Sequence, residues 1–416
     1  MRRLPILLLL LVACCASLVA QRDTAPAARY PFIRYKSNRL HYDSSSVTLA
    51  HFFDRWERMV RTGQDNINIV HIGGSHVQAG TMSNTIRRRL LYDHPDLVSA
   101  RGMIFPYSAA ARCNNPADYR VHCLQKVALT RNVYQSYEVP LGLTGIAVTA
   151  KDTVTEVTIV LADTTIDYAT NRIVIIGHSN QGVVPLLHLA GRRVYPSYTD
   201  PRSDRYIFNL TRPTDSFTVV LPCRQGDLFT LGGIYLDNRR AGFTLHSIGV
   251  NGAAVPDYLR CEHFARDLRL LHPDMVVFGI GINDANGSQF DTAAFRANYL
   301  RLVDTVRSVN PDCAILFITN NDSYRKTGRR RYKVNPNGLL AREVFYRLAR
   351  ETGGAVWDQF EVMGGLRSMD RWRKAALAQN DRVHFTRAGY QLCGDLFYDA
   401  LVGAYHSYRN HKNATR

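Results

Sequence analysis

Five short, almost wholly apolar runs, each followed by a segment with helical spacing, constrain this chain more than any other feature. They are INIVHIG (67–73), FTLHSIG (243–249), DMVVFGIG (274–281), CAILFITN (313–320) and GAVWD (354–358). A run that is apolar throughout, rather than alternating, is a strand buried on both faces, and strands that alternate with helices form a parallel sheet. Apolar residues at helical spacing predict helices over 47–61, 78–92, 256–271, 291–308, 338–351 and 387–405. The fold class expected is therefore α/β, a doubly wound parallel sheet. The first run stands apart from its four partners. Between 101 and 240 the texture changes to short β-type runs such as EVTIVLA, NRIVIIG and SFTVVLP, divided by Asp, Thr, Pro and Gly. That stretch is expected to be an inserted all-β sandwich or jelly-roll module, because the strand at 67 needs later strands to complete its sheet. The expected division is 45–100 plus 241–408 for the α/β domain and 101–240 for the insertion.

The N-terminus places two arginines before an apolar run and then small residues, MRRLPILLLLLVACCASLVAQRD. This is the layout of a secretory signal over 1–20, too short for a membrane span. LVAC at 11–14 also has the form of a bacterial lipobox, which would put a lipid anchor on Cys14, the one membrane attachment expected. Export makes disulfides admissible, and Cys113 and Cys123, close together in a loop-rich stretch, are the candidate pair. No two cysteines have CxxC spacing, so no zinc site is expected, and the acyl transfer considered below needs neither a metal nor an organic cofactor. The formal net charge of +17 favours an anionic partner. Behind an export signal that partner is a wall polymer or acidic lipid rather than nucleic acid. The charge is dense only at RKTGRRRYK (325–333), which reads either as a solvated loop or as an anion contact.

Acyl transfer needs an activated nucleophile, a base, a group orienting that base and donors for the oxyanion. In a doubly wound sheet these collect beyond the carboxyl ends of the strands. Four segments qualify. The first strand ends in Gly73-Gly74-Ser75-His76, where a serine is either an exposed nucleophile or a helix cap. The second ends in Gly249-Val250-Asn251-Gly252, the third in Gly281-Ile282-Asn283-Asp284, and Asp381-Arg382-Val383-His384 precedes the last helix. Gly177-His178-Ser179-Asn180-Gln181-Gly182 has the look of a nucleophile elbow, but no helix follows it. Tyr107, Asn114, Asn115 and Tyr119 either line the mouth of the site or pack a loop.

In order and content the four segments resemble the SGNH, or GDSL-type, hydrolases: GxS after the first strand, a glycine after the second, GxND after the third and DxxH before the last helix. The resemblance implies a flavodoxin-like sheet, Ser75 as nucleophile, His384 as general base and Asp381 as its orienting partner. It also implies an oxyanion hole of Ser75 N–H, Gly252 N–H and the Asn283 side chain, with Gly249 as the alternative to Gly252. With the β insertion, export, ARGMIFPYS (100–108) and GVNGA, the chain looks like the bacterial peptidoglycan O-acetylesterases, whose inserted module resembles a carbohydrate-binding domain. The implied reaction is removal of acetyl from the C6 hydroxyl of N-acetylmuramic acid in the periplasm or outer envelope of a bacterium. An acetylesterase on another polysaccharide, or an inactive wall-glycan-binding protein, are the alternatives. One departure stands out: the family usually has Asp where this chain has Gly74.

Overall fold

The computed structural model describes residues 30–414 except 111–112, 164 and 330; the expected signal segment and Cys14 lie outside the described residues. The five apolar runs form one sheet with a short edge strand. Its strands are β1 (Leu40–Tyr42), β2 (Asn66–Gly73), β3 (Gly242–Gly249), β4 (Met275–Gly279), β5 (Ala314–Ile318) and β6 (Ala355–Trp357), in the order β1-β6-β5-β4-β2-β3. All pairings are parallel except that of β1 with β6. At three residues β1 is too short for any periodicity to disclose it.

Alternation along the buried strands feeds two cores. Val70, Ile72, Val276, Phe278, Ile315 and Phe317 point into one, with the helices Phe264–Leu271, Thr292–Val309 and Asn337–Thr352. Ile67, Ile69, Met275, Val277, Leu316 and Ile318 point into the other, with Val47–Thr62, Thr81–Asp93 and Arg387–Ala414. Two predicted helices are broken. The one expected over 78–92 is a single turn, Ser75–Gln78, followed by Thr81–Asp93, with Gly80 at φ +71° between them. The one expected over 256–271 divides into Val255–Leu259 and Phe264–Leu271.

Among the described residues of 102–237 the elements are strands and one 3-10 turn, Tyr107–Ala109. They build a five-stranded and a seven-stranded antiparallel sheet. Ile146, Ile159, Ile173, Val219 and Leu231 from these sheets belong to the same apolar core as Val70 and Phe278. The antiparallel layer therefore shares a core with the parallel sheet. A buried ionic clamp adds to that junction. Arg101 and Arg87, both fully buried, converge on Asp118, and Arg87 also donates to Leu245 O of β3 at 2.8 Å. Losing the shared carboxylate would leave two uncompensated guanidinium groups in the interior. Asp118→Ala is thus expected to lower unfolding free energy by about 3–5 kcal/mol in urea titration; a loss under about 1 kcal/mol would show that the clamp contributes little.

Candidate active site

Three glycines end adjacent strands in one row. Gly249 pairs with Gly73, and Gly73 with Gly279. A Cβ on Gly73 would stand 2.3 Å from Val77 Cγ2, and one on Gly249 would stand 2.3 Å from Gln78 N. Only a row without side chains lets the Ser75–Gln78 turn settle onto the strand ends. Tyrosine hydroxyls hold the same ends from below: Tyr258 donates to Gly73 O at 2.9 Å and Tyr107 to Gly249 O at 2.8 Å.

Within that turn Gly74, not Ser75, is the cap residue, and Gly74 O accepts the N–H groups of Val77 and Gln78. Ser75 is the first helical residue, so its hydroxyl is not consumed in capping. Ser75 Oγ instead lies 2.7 Å from His384 Nε2, and His384 Nδ1 lies 2.7 Å from Asp381 Oδ2. Asp381 Oδ1 accepts the N–H of Val383 at 2.9 Å and of His384 at 3.0 Å. Burial pushes the Asp381 carboxyl upward, but the His384 ring and these two backbone N–H groups outweigh it and hold the pKa at about 2. The carboxylate is therefore charged throughout the neutral range. Ser75, His384 and Asp381 are all partly exposed, so a substrate can reach them.

Asn283 is half-buried at the start of a 3-10 turn, with Nδ2 donating to Ala253 O at 2.9 Å. This bond ties it to the loop after β3, and the second Nδ2 hydrogen stays available. Asp284 pins the same two loops by accepting the Val255 N–H at 3.1 Å, and burial raises its pKa to about 6. The two glycine candidates differ. Gly249 is buried in the strand row, whereas Gly252 lies on an exposed turn at φ +87° with open space around it.

The Gly74 departure has a steric account. A Cβ there would meet Asn283 Nδ2 at 3.4 Å and Ala253 O at 3.5 Å, which is ordinary contact. Gly74→Asp is accordingly expected to remain soluble, with Tm within about 4 °C of wild type; aggregation, or a larger drop in a thermal melt, would refute this.

Other sequence candidates are placed differently. Tyr107 and Tyr119 are buried, their hydroxyls spent on the carbonyls of Gly249 and Phe105, so they brace the site instead of lining its mouth. Asn114 O accepts a bond from Gln78 Nε2, and Asn115 closes its own loop on Ser108. The Cys113–Cys123 bridge is corrected: both are free thiols, as are the other four cysteines among the described residues. Cys113 is buried in the main core, while Cys123, half-buried and just past the strand Tyr119–His122, has its thiol near Gln125 O. Ser179 Oγ accepts the Val183 N–H at 2.8 Å, a turn contact, while the ring of the adjacent His178 pairs with Asp204.

Several contributors escaped the motifs. Gln78 Oε1 accepts the Asn251 N–H at 2.8 Å and so fixes the glycine loop to the serine turn. His76 Nδ1 lies 2.9 Å from Tyr390 OH, and its ring packs 5.2 Å from the ring of His384. Burial, with His384 adding to it, depresses the His76 pKa to about 3, so this ring is a neutral wall behind the base. Its place next to Ser75 in sequence was the one available signal.

This geometry agrees with what the chain is similar to. Residues 230–392 match the GDSL-like lipase/acylhydrolase family, a span that includes Gly252, Asn283, Asp381 and His384 but begins after Ser75. The matched segment carries the signature of that family, and together with the Ser75–His384–Asp381 geometry it supports a serine ester hydrolase. A solved peptidoglycan O-acetylesterase aligns with 88% of this chain and 99% of its own at TM-score 0.72 and 19% identity, a likeness of fold. An acetyl xylan esterase aligns with 38% of this chain and 81% of its own at TM-score 0.31 and 20% identity. A family two carbohydrate esterase from Cellvibrio japonicus aligns with 69% and 99% at TM-score 0.28 and 9% identity. No curated protein matches the sequence.

Proposed function

We propose that this protein is an exported esterase that removes O-acetyl groups from a cell-wall glycan, most specifically the C6 O-acetyl of N-acetylmuramic acid in peptidoglycan. The observation that carries the chemistry is the unbroken run Ser75 Oγ, His384 Nε2, His384 Nδ1, Asp381 Oδ2, with 2.7 Å at both links. Substrate class is supported by a fold shared with a peptidoglycan O-acetylesterase over both the parallel and the antiparallel layers. The antiparallel layer is read as an inserted glycan-binding sandwich, and the N-terminal pattern as export to the periplasm or outer envelope.

In this mechanism Ser75 Oγ attacks the acetyl carbonyl as His384 Nε2 takes its proton, with Asp381 balancing the imidazolium. The tetrahedral oxyanion is received by Ser75 N–H, Gly252 N–H and the Asn283 amide. Collapse expels the sugar hydroxyl, which regains the proton from His384 and leaves acetyl on Ser75. Water, deprotonated by His384, then releases acetate. Acetate release by the wild-type protein from O-acetylated peptidoglycan and from acetylated xylan tests the assignment. Release from peptidoglycan is expected to dominate; release from xylan alone would move the substrate to plant-type glycans, and release from neither would favour a binding role.

A further inference from the structure

We propose that the hairpin of Tyr324–Gly328 and Arg331–Val334 is a recognition arm that holds the carboxylates of an anionic glycan at the mouth of the active site. The inference rests on the glycan-esterase reading above and narrows its substrate to a carboxylate-bearing chain.

The hairpin is anchored to both loops that carry the reactive groups. On one side Tyr324 N donates to Arg382 O at 3.1 Å, and Asn321 Nδ2 donates to Val383 O at 3.0 Å. Arg382, between Asp381 and His384, lies 5.0 Å from the ring centres of both Tyr324 and Tyr332. On the other side Arg325 donates to Gly287 O at 2.8 Å, just beyond the Asn283 turn. At its base, Asn335 and Asn337 each donate to Ala285 O at 3.0 Å. A loop serving only solubility has no need of these ties.

Its charge is equally specific. Six of the nine residues 325–333 are Lys or Arg, and none is acidic. Register sets Arg325 directly opposite Lys333, a like-charge pair that weakens a hairpin. Lys326, Arg329, Arg331 and Lys333 are exposed, and no ion pair joins any of them to a carboxylate among the described residues. Tyr324, Tyr332 and Val334 pack against the second core, which holds the arm in place. Self-repulsion on an anchored element beside a site is relieved when an anion binds. Carboxylates spaced along a wall glycan supply that charge, and electrostatic complementarity there acts on binding more than on chemistry.

The test neutralises the arm with Lys326→Gln, Arg329→Gln, Arg331→Gln and Lys333→Gln together, none of them a triad or oxyanion residue. Hydrolysis of p-nitrophenyl acetate, small and neutral, should stay within about twofold of wild type and reports that the site is intact. Binding of soluble peptidoglycan fragments, read by titration whether or not they are turned over, should weaken about tenfold at low salt. The wild-type advantage should shrink as salt shortens the screening length. Fragments whose carboxylates are converted to amides should bind both proteins equally. Equal binding of the free-acid fragments by both proteins, an equal loss on acetylated neutral xylan, or tighter binding of nucleic acid than of glycan would each overturn the proposal. If wild type cleaves p-nitrophenyl acetate but releases acetate from no glycan, the substrate reading fails, and the binding titration still decides the role of the arm.

Discussion

Ser75→Ala is expected to lower kcat for acetyl esters by about 10⁶-fold while leaving the fold unchanged. The hydroxyl faces His384 Nε2 and is not used to cap its own turn, since Gly74 holds that position and supplies the carbonyl that the turn closes on. Removing one oxygen therefore removes the nucleophile without releasing a backbone N–H. Tm should stay within about 2 °C of wild type. Acetate release and p-nitrophenyl acetate hydrolysis should fall together, because both esters use the same attack. Turnover within a hundredfold of wild type would mean that another group, or water activated directly by His384, attacks the ester.

The parts of this molecule legible in the sequence are those with a short physical period. All five strands of the parallel sheet emerged from apolar runs, and the ends of β2, β3 and β4 emerged from the glycines that terminate them. Ser75, Asn283, Asp381 and His384 could be picked out as candidates because each follows a strand or precedes a helix, and their roles came from the resemblance of the four segments to the SGNH hydrolases. What escaped depends on contacts between distant segments. Edge strand β1 has three residues and is defined by its pairing with β6. For Tyr107 the sequence leaves open whether it lines the mouth or packs a loop, and only the fold shows its hydroxyl turning inward to Gly249 O. Proximity in a loop also suggested the bridge between Cys113 and Cys123, but closeness along the chain says nothing of whether two thiols face each other.

The basic run is the clearest case of a feature whose meaning lay in three dimensions. Along the chain, residues 325–333 are separated from Asp381 by about fifty positions and read equally well as a solvated loop. In the fold, the backbone of Tyr324 is hydrogen-bonded to the residue following Asp381. Gly249 and Gly252 are told apart for a related reason. Both glycines follow a strand, but only register shows that Gly249 is packed in a row beneath Gln78 while Gly252 remains open.

Asp381→Asn should cost about 10⁴-fold in kcat with little change in KM. The substitution preserves shape, so the oxygen that accepts the Val383 and His384 N–H groups can still do so and the loop keeps its turn. The other side is inverted. An amide N–H would face His384 Nδ1, which must then be unprotonated to accept it, leaving the imidazole proton on Nε2. Nε2 would donate to Ser75 Oγ and could no longer take its proton. The same variant carries a pH signature. The Asp381 carboxyl is held at about 2, below its ordinary value of 3.8, so its contribution to stability is fully present above pH 4 and is lost as pH falls towards 2. Wild type should therefore lose more Tm between pH 4 and pH 2 than the asparagine variant, which has no such proton to bind. An Asp381→Asn protein that keeps a tenth of wild-type kcat would reduce Asp381 to a holder of the 381–384 turn. Identical acid-induced shifts in Tm would argue that the His384–Asp381 pair does not persist in solution.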